Sequence, residues 1–215
     1  MKETGNFNPS EYPKKGHSHR RTIECPILFF DVVGFSKDID NDKAKKTVTG
    51  MQDVMWELLE SDALEEDFFW AEKGKKGRNN NLVLIPTGDG YGIAIDSTIS
   101  DKKILRIARE LHAALTDRKI STRMGIAKGK NIITLDLNEN VNIFGYGIVL
   151  ATRVCDAAAA GQILVHSKFA QSLLEEKPIP ELRPIKKSFR AKHGSELFCH
   201  NYHGSTRNGV FGKKI

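Results

Sequence analysis

The chain has 215 residues, 40% of them hydrophobic, a net charge of +6 and three cysteines. That length suits one α/β-containing domain with extensions and a substantial core. No apolar run reaches the length of a membrane span and the start lacks a signal-peptide core, so a cytoplasmic protein with no membrane partner is expected. Cys25, Cys155 and Cys199 are dispersed and odd in number, which fits reduced thiols and excludes a disulfide framework or a spaced zinc site.

Residues 1–24 are polar and lack a hydrophobic period, so they read as a flexible tail that includes His17 and His19. The folded domain is expected to begin at Ile23 or Cys25 and to occupy 25–203, with 204–215 as a C-terminal tail. Pro26–Val33 is a β-branched and aromatic run, a strand buried on both faces. It contains Asp31, and an ionised carboxylate in that setting needs a cation or several hydrogen bonds. Taken alone, Asp31 suits a cap of the following turn as well as it suits a metal ligand. From Asp38 to about Leu64 the spacing of Val48, Met51, Val54, Met55, Leu58 and Leu59 predicts a helix capped by Asp38 or Asp40.

Residues 65–81 form a basic mobile connector with Lys73, Lys75, Lys76 and Arg78. It is read as solvated rather than as a nucleic-acid surface, because no aromatic platform is interleaved with it. Leu82–Ile95 then predicts a hairpin with Asp89 at its tip in Gly88-Asp89-Gly90, a sequence that serves equally as an ordinary turn. A second amphipathic helix spans Ser100–Arg118. A further hairpin is expected from Thr122–Ala127 and Ile132–Leu135 around a Lys-Gly-Lys-Asn turn, and a helix from Phe144 to Ala160 ended by Gly161. Gln162–Val165 reads as a strand, Ser167 as the cap of a helix to Glu176, and the remainder alternates toward Glu196–Cys199. The fold class is α+β, with a mixed, mostly antiparallel sheet and helices on one side.

Four blocks in this order carry a resemblance: Phe30-Asp31-Val32-Val33-Gly34-Phe35-Ser36; Thr87-Gly88-Asp89-Gly90; Arg123-Met124-Gly125-Ile126-Ala127-Lys128-Gly129; and Asn142-Ile143-Phe144-Gly145 through Ala151-Thr152-Arg153-Val154 to Ala160-Gly161-Gln162-Ile163-Leu164-Val165. Together they resemble the class III nucleotidyl cyclase catalytic domain, across roughly Pro26 to Tyr202. The resemblance implies a ferredoxin-like βαββαβ core with a C-terminal extension. It implies two divalent cations, Mg²⁺ or Mn²⁺, held by Asp31, Asp89 and the backbone of Val32. Val33, Gly34, Phe35 and Ser36 are expected to cradle phosphates with backbone amides, and Arg190 or Lys192 to bind the triphosphate. Arg153 falls on the family's transition-state arginine. A homodimer with composite active sites is also implied, because the chain carries both halves of the site.

Base choice in this family is read at two positions, occupied here by Ile85 and Asn142. Isoleucine cannot hydrogen-bond a purine edge, and an unpaired buried polar atom costs about 1–3 kcal/mol. These residues resemble the pyrimidine cyclases of bacterial anti-phage (Pycsar-type) defence. That similarity implies conversion of UTP or CTP to cyclic UMP or cyclic CMP and pyrophosphate, as a second messenger for a separate cyclic-nucleotide-sensing effector. Tyr146 and Thr87 lie beside the base readers. Val149 replaces the family's usual ribose-orienting asparagine. Two alternatives follow: an adenylyl or guanylyl cyclase with unusual base contacts, or an inactive nucleotide-binding module.

Overall fold

The computed structural model describes residues 21–35, 40–59, 82–95, 99–135, 141–185, 188–190 and 196–204. Residues 1–20 and 205–215 of the predicted tails, the 65–81 connector, Ser36 and Lys192 lie outside them, whereas Arg21–Glu24, expected in the N-terminal tail, belong to the first strand. Strand β1 (Arg21–Val32) is central. On one edge it pairs antiparallel with β3 (Gly90–Ile95), which pairs with β2 (Leu82–Pro86); on the other it pairs antiparallel with β4 (Thr122–Leu135). β5 (Val141–Gly145) pairs antiparallel with the far end of β4, and β6 (Ile163–His166) pairs parallel with its beginning. Beyond β6 lie β10 (Cys199–His203) and β7 (Arg183–Pro184), while β8 (Phe189–Arg190) and β9 (Glu196–Leu197) form a separate ribbon.

Alternation along β1 divides the core. Leu28, Phe30 and Val32 join a cluster with helices α1 (Asn41–Leu59), α2 (Asp101–Asp117) and α4 (Ser167–Glu176). Cys25 and Ile27 face the opposite way, into a cluster with Leu150, Ala151 and Val154 of α3 (Tyr146–Ala157). The mixed, mainly antiparallel α+β architecture is as expected, but the helices occupy both faces of the sheet rather than one.

Glycines explain how α3 reaches its face. A Cβ on Gly125 would stand 2.2 Å from the backbone nitrogen of Cys155, and one on Gly129 would stand 2.9 Å from the Cα of Gly147. The helix therefore lies directly on β4, at two positions four residues apart on one face of the strand. This also corrects the expected Lys-Gly-Lys-Asn turn. Gly129 is a point of close approach inside a continuous 14-residue strand that pairs with β1 from Thr122 to Ile133.

Two further boundaries move. Phe144 and Gly145 belong to β5, and the helix starts only at Tyr146, because Gly145 adopts φ +140°, a conformation that interrupts the helical path. The helix ends at Ala157, before Gly161, whose φ of +73° sits in the turn to β6. Ser167 does not cap α4: its hydroxyl lies 3.3 Å from His200 Nδ1. Asp40 does act at the start of α1, where its Oδ1 accepts the Asp42 N–H at 3.3 Å. None of the described helices is long and apolar enough to cross a membrane.

Candidate active site

Asp31 stands near the end of β1, between Gly90 of β3 and Arg123 of β4. Its neighbours Phe30 and Val32 point into the first cluster, so strand alternation turns Asp31 toward the α3 side. Only 17% of its side chain is exposed. Burial raises its pKa above the ordinary carboxylate value, and the like charge of the nearby Asp89 carboxylate raises it further; Arg123 opposes both. Asp89 is brought close by the tip of the β2–β3 hairpin. Gly88 takes φ +83° there, and the carbonyl of Asp89 accepts the Val32 N–H at 2.8 Å. The two strand-end carboxylates of the sequence are thus neighbours.

Arg123 completes this corner. Its Nε donates to Asp31 Oδ2 at 2.9 Å and its Nη2 lies 2.7 Å from the same oxygen. On its other edge Nη1 donates to the Asp156 carbonyl and Nη2 to Asp156 Oδ1, both at 3.1 Å. The Cys155 thiol, held protonated by burial, donates to the Arg123 carbonyl at 3.3 Å. Arg123 opens one of the four sequence blocks, yet the sequence reading gave it no role. Its pairing with Asp156 has no linear signal, since the two are 33 residues apart.

These residues fit a hard divalent cation. Two adjacent carboxylates supply oxygen only, and no group of three or more His, Cys, Asp or Glu side chains gathers among the described residues. That donor set suits Mg²⁺ or Mn²⁺ sharing its remaining positions with water and substrate phosphates, rather than an all-protein cage.

The turn after Asp31 is more committed than expected. The Val33 N–H donates to the Ser121 carbonyl at 2.9 Å and the Phe35 N–H to the Val32 carbonyl at 3.4 Å, so neither amide is open to a phosphate in this conformation. Gly34 (φ +80°) lies between them. A cavity of about 150 Å³ opens beside the turn, lined by Val33, Gly34, Phe35, Thr47 and two lysines, Lys43 and Lys119. Neither lysine was singled out from sequence, because a lone Lys at a helix start or end carries no signal until the fold brings two together. Arg190 instead lies exposed on the β8–β9 ribbon, opposite Glu196.

The other predicted residues ride on β2, β5 and α3. Ile85 packs beside Phe29 and Ile148 over Gly92, as part of an apolar wall, and β2 lies against β5. Asn142 is half-buried, and its Oδ1 accepts the Ile143 N–H at 2.7 Å, which leaves the NH₂ end to meet a ligand. Arg153 makes no hydrogen bond or ion pair among the described residues. It shares a helical face with Val149, which is 44% exposed, and Tyr146 is exposed at the start of the helix. Asn131 fixes that helix: its Oδ1 accepts the Ile148 N–H at 3.1 Å while its Nδ2 donates to the Gly129 carbonyl at 3.0 Å.

No protein-family model matches this sequence, and no curated protein matches it. Solved structures do match in shape. The adenylyl cyclase CyaB from P. aeruginosa superposes with a TM-score of 0.62 at 14% identity, over 88% of this chain and 98% of that one. An adenylate/guanylate cyclase/hydrolase from Silicibacter pomeroyi gives 0.60 at 18% identity, over 87% and 100%. The catalytic core of a rhodopsin-guanylyl cyclase with converted specificity, in complex with ATPαS, gives 0.63 at 14% identity, over 87% and 100%. The chain therefore has the fold of class III nucleotidyl cyclase catalytic domains.

Proposed function

We propose that the protein is a metal-dependent nucleotidyl cyclase that converts UTP to 3′,5′-cyclic UMP and pyrophosphate, acting as a homodimer with composite sites. The observation that carries this reading is the meeting of Asp31 and Asp89 at the end of β1, within a fold shared with nucleotidyl cyclases. When bound, two divalent ions would lower the pKa of the ribose 3′-hydroxyl and neutralise charge on the triphosphate. Asp31, Asp89 and the Val32 carbonyl are the residues to hold them.

The other residues divide the remaining work. Lys43 and Lys119 line a cavity next to the metal carboxylates, suited to the departing pyrophosphate. Arg190 and Lys192 remain candidates for the triphosphate of a site completed by a second chain. Arg153, with no hydrogen bond or ion pair among the described residues, would stabilise charge on the α-phosphate of such a site. Ile85 presents nothing to a purine edge. Asn142 discriminates further. With its oxygen engaged by Ile143, its free end only donates, which pairs with the 4-carbonyl of uracil and opposes the 4-amino group of cytosine. The sequence resemblance to Pycsar-type cyclases supports a role in anti-phage signalling through a separate effector.

Purified protein incubated with Mn²⁺ and each of the four nucleoside triphosphates, with cyclic products resolved chromatographically, tests the reading. Cyclic UMP as the main product is expected. A product from ATP or GTP alone would refute the pyrimidine assignment, and nucleotide binding without turnover under any metal would make the chain a binding module.

A further inference from the structure

We propose that Arg123 and Asp156 form a cation exchange device for the metal site. Arg123 stands in for the divalent ion at Asp31 in the free chain, and Asp156 receives its guanidinium when the ion arrives. The proposal rests on the cyclase reading, because it assumes that Asp31 is a metal ligand.

The geometry states the problem the device solves. Asp31 is largely buried and, among the described residues, the cation that contacts it is Arg123. A carboxylate in that position is strongly destabilised when its counter-charge leaves. A divalent ion at Asp31 and Asp89 supplies a new counter-charge, but it also places positive charge beside a guanidinium that lies 2.7 Å from Asp31. Arg123 must then be compensated elsewhere. Asp156 is already in place, contacting Nη1 through its carbonyl and Nη2 through its carboxylate. Two carboxylates, Asp31 and Asp156, share one guanidinium, so Asp156 keeps its charge compensated once an ion takes Asp31.

The anchoring is rigid enough for a small motion to matter. β4 and α3 touch at Gly125 with no room for a side chain, so Asp156 cannot retreat from Arg123. A rotation of the guanidinium away from Asp31, with the Asp156 contacts kept, suffices. Arg123 is thus a positioning residue with a sign: it weakens ion binding in the free chain, whereas Asp156 strengthens it by taking Arg123 away from Asp31.

Two substitutions therefore act in opposite directions, which a merely structural role does not produce. Mn²⁺ binding is measured on the full chain without nucleotide, from the loss of the free-ion electron paramagnetic resonance signal, with Asp31→Ala as the site control. Arg123→Gln is expected to tighten binding by roughly tenfold, the scale on which a neighbouring charge acts on a carboxylate. Asp156→Asn is expected to weaken it by about threefold to tenfold on the same basis. Arg123→Lys, which keeps the charge and loses the fork, should fall between wild type and Arg123→Gln and serves if the Gln variant does not fold. Weaker or unchanged binding in Arg123→Gln or Arg123→Lys, or unchanged or tighter binding in Asp156→Asn, overturns the proposal. If Asp31→Ala binds Mn²⁺ as wild type does, the metal assignment fails, and the proposal with it.

Discussion

The two halves of the candidate site differ in how their charges are satisfied. At the end of β1, Asp31 is held by Arg123 and Arg123 by Asp156, so these charges are partnered within the chain. On the outer side of α3, Arg153 has no such partner among the described residues, and Val149 and Tyr146 are exposed beside it. A guanidinium carried on a helix held by Asn131, with no partner among the described residues, is suited to charge that arrives from outside. The contrast teaches that the first half is satisfied from within the chain, whereas the second, under the proposed function, would take its counter-charge from nucleotide and a second subunit.

The comparison breaks first at the carboxylates. Asp31→Ala and Asp89→Ala should each abolish cyclisation, by about 4 kcal/mol or more in the barrier if both hold the ions that stabilise the phosphates. Sedimentation should show the same assembly as wild type. A variant that keeps near wild-type turnover with Mg²⁺ would remove these residues from the reaction. Next comes Arg153→Ala, expected to raise the barrier by about 2–4 kcal/mol, seen in kcat more than in KM and without a change in melting temperature. Loss confined to KM, or a lower melting temperature, would give Arg153 a binding or structural role and erase the distinction between the halves.

A smaller effect is expected from Asn131→Ala, about 1–3 kcal/mol of stability, since it leaves the Ile148 N–H and the Gly129 carbonyl without their side-chain partner. Its denaturation midpoint should fall while Mn²⁺ binding at Asp31 is retained. At Asn142→Asp, one carboxylate oxygen can keep the Ile143 N–H while the other presents an acceptor. The UTP-to-CTP preference should shift toward CTP by about tenfold, read from competing turnover of the two nucleotides. An unchanged ratio would remove Asn142 from base selection.

The smallest effect concerns pH. Burial lowers the pKa of His112, with His203 adding to it, and burial also lowers His166 and His200. Below the ordinary value of 6.5 the unfolded chain therefore takes up protons that the folded chain resists. Stability from these groups is complete above that pH and declines as pH falls toward their folded values. Melting temperature should drop on acidification from pH 7 to 5, and less steeply in His112→Leu. An equal slope in that variant would assign the effect to other groups.

Much of the fold was legible because its signals are local. The β-branched run of β1, the Asp-Gly hairpin and the apolar stripes of α1 and α2 each declare themselves within a dozen residues. The errors share a cause. Gly129 and Gly145 were read through turn and helix propensities, but their reasons lie across the sheet, against Gly147 and Asn131. The same holds at the site. Asp31 and Asp89 stood out as strand-end carboxylates, whereas the partnership of Arg123 with Asp156, and of Lys43 with Lys119, exists only after β4 and α3 have packed and the turns have closed.

β4 sets one more condition on the chain. Arg123, Gly125, Gly129 and Asn131 occupy odd positions along an unbroken strand, so all four face α3, while Met124 and Ile126 fill the opposite core. Arg123 holds the Asp31 carboxylate and Asn131 the first turn of the helix that carries Arg153, and the strand separates them by eight residues. A one-residue insertion between them would turn one of the pair to the wrong face and desynchronise the halves. An insertion of two would restore the face and still shift the cap by about 6–7 Å. Under the proposed function the spacing within β4 is thus a length standard for the site: proteins that share this arrangement should vary freely in their loops, yet keep that interval.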